Sequence, residues 1–204
     1  MEATAIVLAG GKSLRLGRNK VLETILGKSL IEHVVDRLRP LVSQLLIVTS
    51  KEQLTLPSLE QAEILIDLYP DKGPLAGIYT GLLAARYSQS VVVGCDMPFL
   101  NTELLRFMAE LSYGFDAVVP RLSQAMVEPL HAIYVRSCLG KIKTQLEQNQ
   151  LDVGLLVAAV HARYVERKEC QRFDPQLLSF LNINSQSDLD RAIALATKDR
   201  GEAP

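Results

Sequence analysis

The chain has no tryptophan, and aromatic residues make up only 5% of its 204 positions. So few rings argue against a base-stacking platform for single-stranded nucleic acid. Charge of one sign is lacking too. Lys and Arg number 22 and Asp and Glu 23, a formal net charge of −1. That balance carries no electrostatic footprint for nucleic acid, so none is expected as a partner. Cysteine is sparse: Cys95, Cys138 and Cys170 are far apart and odd in number. They make neither a CxxC metal or redox pair nor a disulfide framework. No run reaches ~18 uninterrupted apolar residues, so no membrane span is expected. The opening residues do not read as a signal peptide, because Glu2 precedes a short apolar run closed by Gly10 and Gly11. The expected compartment is the cytoplasm. No internal repeat or low-complexity linker divides the chain.

Hydrophobic residues at 48% and charged residues at 22% are those of an ordinary globular protein. With roughly 150 residues to a domain, this length favours one domain over residues 1–197, with a frayed tail at 198–204. Continuously apolar stretches recur at residues 4–8, 45–48, 64–66 and 90–95, with a weaker one at 117–119. Continuous apolarity predicts strands buried on both faces, as in a parallel sheet. Helical patterns lie between them at residues 29–38, 75–87, 102–111 (Asn101 as N-cap) and 186–197 (Ser185 as N-cap). Alternating strands and helices predict an α/β doubly wound sheet built from right-handed βαβ units. Ligands of such sheets sit beyond the carboxyl ends of the strands.

Residues 9–20, 49–50, 67–77 and 96–98 follow those strand ends; three of these, and one stretch near the carboxyl terminus, carry candidate chemistry. The first is Leu8-Ala9-Gly10-Gly11-Lys12-Ser13-Leu14-Arg15-Leu16-Gly17-Arg18-Asn19-Lys20. Its glycines let backbone approach a ligand closely, and Lys12, Arg15, Arg18 and Lys20 stand there with no acid among them. This is a local anion site on a near-neutral chain. It is not a Walker A loop, because Ile6 stands where that motif needs glycine. It is not the GxGxxG dinucleotide fingerprint either, because Lys12 stands at the second glycine. The second is Asp67, followed by Gly73-Pro74-Leu75-Ala76-Gly77. Pro74 pre-sets φ for a first helical turn, whose unpaired N–H groups can face an anion or simply begin a helix. The third is Gly94-Cys95-Asp96-Met97-Pro98, one carboxylate at the end of an apolar strand. Such a group can hold Mg²⁺, which needs only one or two protein carboxylates besides phosphate oxygens and water. Its alternative is a cap or turn. The fourth is Phe180-Leu181-Asn182-Ile183-Asn184 before Ser185. In an extended strand the two asparagines share a side, and locally they suit an Asx-turn. In Glu128-Pro129-Leu130-His131, His131 reads as a wall or core residue rather than a catalyst, since no Ser-His-Asp or Cys-His set accompanies it.

The run Leu8-Ala9-Gly10-Gly11-x-Ser13-x-Arg15-x-Gly17-x-x-Lys20 resembles the signature of nucleotidyltransferases with a Rossmann-like fold. Its short reach from Arg15 to Lys20 resembles the molybdopterin branch, since sugar-phosphate nucleotidylyltransferases have a longer stretch before their lysine. The Gly-Pro-Leu-Ala-Gly run, the Asp-x-Pro at Asp96 and the Phe-x-Asn-x-Asn near the end are similar to the molybdenum cofactor guanylyltransferase family. The likeness covers the chain from Ile6 to about residue 195. It implies a three-layer Rossmann-like sandwich with a mostly parallel sheet. It also implies transfer of GMP from GTP to molybdenum-bound molybdopterin, with release of pyrophosphate. By resemblance, Leu8, Ala9, Gly10 and Gly11 meet the nucleotide, and Lys20, with Arg15, neutralises the triphosphate. Asp67, Gly73 and Gly77 belong to the nucleotide side, Asp96 holds Mg²⁺, and Asn182 and Asn184 meet the pterin. The implied partners are GTP, molybdopterin and, transiently, the molybdoenzymes or chaperones that take the product; the chain is expected to be a monomer. Two departures stand out: Leu16 replaces the usual Met, and Thr49-Ser50-Lys51-Glu52 lacks an asparagine some members use for the nucleotide. Residues 122–127 and 170–175 fit no part of the pattern. The related cytidylyltransferases tend toward Leu-Ala-Ala-Gly and Asp-x-Asp at the corresponding places. CTP or another phosphate acceptor is the nearest alternative, and a non-catalytic nucleotide-binding module a further one. Gly10, Gly11, Lys20 and Asp96 together argue against the latter.

Overall fold

The computed structural model describes residues 1–10, 23–50, 59 and 62–199. Its main sheet takes strands β1 (Thr4–Leu8), β4 (Gln44–Thr49), β5 (Glu63–Ile66), β6 (Gln89–Gly94), β7 (Ala117–Ser123), β9 (His131–Val135) and β10 (Ala162–Glu166) in the order β10-β7-β9-β6-β1-β4-β5. A short β8 (Met126–Val127) pairs with β7. All run parallel except β9 and β8, which are antiparallel to their neighbours. A separate hairpin joins β2 (Thr24–Ile25) to β3 (Lys28–Ser29). Strands of two residues are too short to carry a periodicity, and the sequence gives no sign of this hairpin.

Helices α1 (Leu30–Leu38) and α3 (Thr102–Glu110) cover one face with α6 (Arg167–Cys170). Helices α2 (Gly73–Ala84), α4 (Leu139–Glu147) and α5 (Val153–Ala159) cover the other. The alternation along β1 shows the reason: Ala5 and Val7 enter one core, Ile6 and Leu8 the other. The expected three-layer α/β sandwich is the observed one. The last helix, α7 (Gln186–Asp199), packs with Ile25, Leu30 and Ile183 in a third cluster. It continues through Lys198 and Asp199, two residues into the segment expected to fray.

Caps fix the helix starts. Ser29 Oγ accepts from Glu32 N while Glu32 accepts from Ser29 N at 2.7 Å, a reciprocal capping box. Asn101 accepts from Leu104 N at 2.9 Å, and Ser185 pairs with Asp188 in the same reciprocal way. Helix α2 begins at Gly73 and stops at Ala84, earlier than the 75–87 pattern suggests. Ala85 turns extended, and the Arg86 N–H is taken by the buried Gln44 side chain at 2.8 Å.

Two expectations fail. The strand at 64–66 is not buried on both faces: it is the sheet's edge, and Ile64 is 46% exposed. The Phe-x-Asn-x-Asn stretch is not a ladder strand. Leu178–Phe180 forms a 3₁₀ turn, and residues 181–184 run on in irregular structure. At the sheet's rim, Ile183 N donates to Asp96 O at 3.0 Å.

Candidate active site

The strands set the site by ending level. Leu8 lies opposite Val48 on one side and Gly94 on the other. Just past this line the ladder closes itself: Ala9 N donates to Val48 O at 2.8 Å, and Cys95 N to Leu8 O at 3.1 Å. The carbonyl of Leu8 and the amide of Ala9 are therefore used within the sheet, and both residues are buried. Gly10 is the first exposed residue of the stretch, with the nearest atom to a Cβ built there being Ser50 N at 3.8 Å. Gly11, Arg15 and Lys20 lie outside the described residues.

Helix α2 brings its first turn to the same edge because it sits unusually close to β1. A Cβ on Gly77 would stand 2.9 Å from Leu8 Cδ2, and one on Gly81 would stand 2.5 Å from Ile6 Cγ2. Gly77 is thus a packing residue against the strand that carries the loop. Gly73, at φ +69°, is exposed at the helix start, which has no side-chain cap and no acid in its first turn. Its N–H groups and the positive end of the helix face outward at the rim.

Asp67 follows β5, its amide bonded to Thr49 O at 2.8 Å. Its Oδ1 accepts from Thr80 Oγ1 at 2.9 Å and from Tyr69 N at 3.1 Å. Burial raises its pKa, and those two bonds oppose the rise. Sequence reasoning did not single out Thr80. The available signal was a lone small hydroxyl in an otherwise apolar helix, Gly-Pro-Leu-Ala-Gly-Ile-Tyr-Thr-Gly-Leu-Leu-Ala.

Asp96 comes off β6 half-buried. Its carboxylate folds back over Gly94, where a Cβ would lie only 2.4 Å from Oδ1. The backbone approach at Gly94 is what gives this side chain its place. A hard oxygen donor in such a cradle fits Mg²⁺. Among the described residues no three His, Cys, Asp or Glu side chains cluster as a metal cage. A single carboxylate completed by phosphate oxygens and water is the mode that suits this ion.

Glu128 stands at the rim beside β6, with His131 buried in the sheet beneath it. Gly94 N donates to Leu130 O at 3.1 Å, holding the turn before β9 against the strand end. Glu128, also missed by sequence reasoning, is half-buried there, and burial raises its pKa. His131 is fully buried, as expected of a core residue, edge-on to Phe180 at 4.8 Å between ring centres. Burial pushes its pKa down to about 4. Of the asparagines, Asn182 is half-buried and Asn184 exposed, with Ile183 fully buried between them. The structure therefore brings Gly10, Asp67, Gly73, Asp96, Asn182 and Asn184 to the carboxyl edge of the sheet, and puts Leu8, Ala9 and Gly77 beneath it.

The sequence profile of the MobA-like NTP transferase domain matches residues 5–163. The chain belongs to the MobA-like NTP transferase family. It is 37% identical over 202 residues to the probable molybdenum cofactor guanylyltransferase of Methanosarcina acetivorans, covering 93% of this chain and 89% of that protein. It is 32% identical over 193 residues to the molybdenum cofactor guanylyltransferase of Desulfosudis oleivorans, covering 94% of each. The solved structure of molybdopterin-guanine dinucleotide biosynthesis protein A from Archaeoglobus fulgidus superposes with a TM-score of 0.84 at 31% identity, covering 96% of this chain and 99% of that one. Membership of the MobA-like NTP transferases makes the chain an enzyme of the nucleotidyltransferase class. Among its described residues no helix is long and apolar enough to cross a membrane.

Proposed function

We propose that this enzyme transfers GMP from GTP to the terminal phosphate of molybdenum-bound molybdopterin, yielding the guanine dinucleotide cofactor and pyrophosphate. The observation that carries the reading is the bond from Ile183 N to Asp96 O at 3.0 Å. It sets the asparagine-bearing segment beside the carboxylate at the end of β6, on the same edge as Gly10 and Asp67. An acceptor site and a nucleotide site sharing one rim is what a group transfer between two substrates requires.

A phosphate oxygen of the acceptor attacks the α-phosphorus of GTP, and the bond from α-phosphorus to the bridging oxygen breaks, with pyrophosphate leaving. Both partners are anions, so the barrier is set by charge and alignment. The acceptor phosphate is already ionised and needs no general base. Asp96 would hold Mg²⁺, which when bound supplies positive charge at the phosphates. Gly10 and Gly11 admit the triphosphate to the backbone, and Lys20 and Arg15 neutralise it. Asp67 and the start of α2 bound the nucleotide side. Asn182 and Asn184 offer paired amides to the pterin edge. The reading places the enzyme in the cytoplasm as a monomer that passes product to molybdoenzymes or their chaperones. Incubation with each NTP, Mg²⁺ and molybdenum cofactor, followed by mass identification of the product, tests it. A guanine adduct is expected, and a cytosine adduct or none would overturn the assignment.

A further inference from the structure

We propose that Ser179 is a positioning residue for Asp96, acting through a strap of residues 173–183 that clamps the turn between β6 and α3. The inference rests on the metal role given to Asp96 above. That turn spans residues 95–101 and is short and irregular, so its own secondary structure does not fix it. Arg37 of α1 donates to Leu100 O at 3.1 Å, and bonds from the strap add to this hold. Ser179 Oγ accepts from Asn101 N at 2.9 Å and donates to Phe99 O at 3.5 Å. Asn101, while capping α3, also donates from its side chain to Phe173 O at 2.9 Å. Four residues beyond Ser179, the Ile183 N–H reaches the carbonyl of Asp96 itself.

The strap is itself anchored by a buried acid. Asp174 is 6% exposed and accepts from Ser179 N at 2.7 Å and Leu178 N at 3.1 Å, which locks the 3₁₀ turn that aims Ser179. Ser179 is 0% exposed. A fully buried hydroxyl bonded to two main-chain groups of another segment holds those groups at a fixed spacing. With Gly94 leaving room on the other side, the carboxylate of Asp96 has its backbone held and its side chain accommodated. Small displacements of such a group are costly to transfer chemistry.

Ser179→Ala tests the assignment, with Val153→Ala in the remote helix α5 as a control for plain loss of packing. Mn²⁺ binding in the presence of a non-hydrolysable GTP analogue is followed by electron paramagnetic resonance, alongside Tm and steady-state turnover. The expected result is Mn²⁺ binding weakened by about tenfold, with kcat lowered. Val153→Ala should lower Tm with Mn²⁺ binding as in the parent. Asn101→Asp, which keeps the α3 cap but loses the amide donor to Phe173, should shift Mn²⁺ binding in the same direction and serves should Ser179→Ala not fold. Lowered Tm with unaltered Mn²⁺ binding in both Ser179→Ala and Asn101→Asp would overturn the positioning role. If the parent protein itself shows no Mn²⁺ binding that Asp96→Asn abolishes, the metal reading fails, and the two failures are told apart.

Discussion

An alanine at position 94 would put its methyl carbon 2.4 Å from Asp96 Oδ1, so either the carboxylate or the strand end must move. Gly94→Ala should therefore behave as a mild form of Asp96→Asn. Both should fold, with circular dichroism unchanged. On the proposed metal role, Asp96→Asn should lose roughly 10²-fold or more in turnover, because an ion that would supply several kcal/mol loses this ligand. Near-normal Mg²⁺-dependent rates in folded Asp96→Asn would remove the carboxylate from the mechanism. His131 has a different signature. It titrates near 4 in the fold and near 6.5 when free. The unfolded chain therefore takes up the proton first. Stability is intact above about pH 6.5, falls as pH drops toward about 4, and loses on the order of 3 kcal/mol in all before both states are protonated. Urea titrations across that window should show the slope in the parent and a flatter one in His131→Leu. An equal slope in both would place the acid sensitivity elsewhere.

Helix α2 is fitted to β1 by two glycines one turn apart, Gly77 and Gly81. Gly81→Ala must push the helix off Ile6, for a cost of about 1–3 kcal/mol from overpacking. The same push moves the uncapped start of the helix and, through Thr80, Asp67. GTP affinity measured by calorimetry should fall together with Tm, whereas unchanged affinity would detach the helix start from the nucleotide. Elements of this kind were readable before the structure was known. The runs in β1, β4 and β6 are apolar throughout because both faces are covered, and α1 and α3 carry one apolar stripe each. Strand β10, Ala-Arg-Tyr-Val-Glu, was not readable. At the sheet's edge only Val165 is fully buried, and polar residues interrupt any run. Helix α5, with seven residues, is too short for its period to show. At the site, Asp96, Asp67 and Gly10 announce themselves by following strands directly. Thr80 and Ser179 do not, because their partners lie 13 and about 80 residues away along the chain. Only the fold reveals such pairs.

Taken as a whole, the molecule joins its two ends at one rim. Gly10 stands at the rim just past β1, and the chain returns more than 170 residues later, where Ile183, between Asn182 and Asn184, donates its N–H to Asp96 O. On the proposed function, the amino-terminal half would hold GTP and the carboxyl-terminal segment the acceptor. Changing both asparagines to alanine should leave GTP affinity near that of the parent and weaken molybdopterin binding by about 1–3 kcal/mol, the cost of leaving buried polar partners unpaired. A competing role is visible in the structure. The amides of Asn184 and Ser185 both donate to Asp188, at 3.0 and 2.8 Å, so this stretch also starts α7. Those bonds use backbone N–H groups, which alanine retains, so the cap itself should survive the double change. Ile183 keeps its bond to Asp96 for the same reason, and Mn²⁺ binding should be unaltered. Measuring Tm, GTP affinity and molybdopterin affinity on one preparation separates the cases. Lost acceptor affinity at constant Tm supports the acceptor role. A lowered Tm with full acceptor affinity per folded molecule would assign both asparagines to the helix start alone.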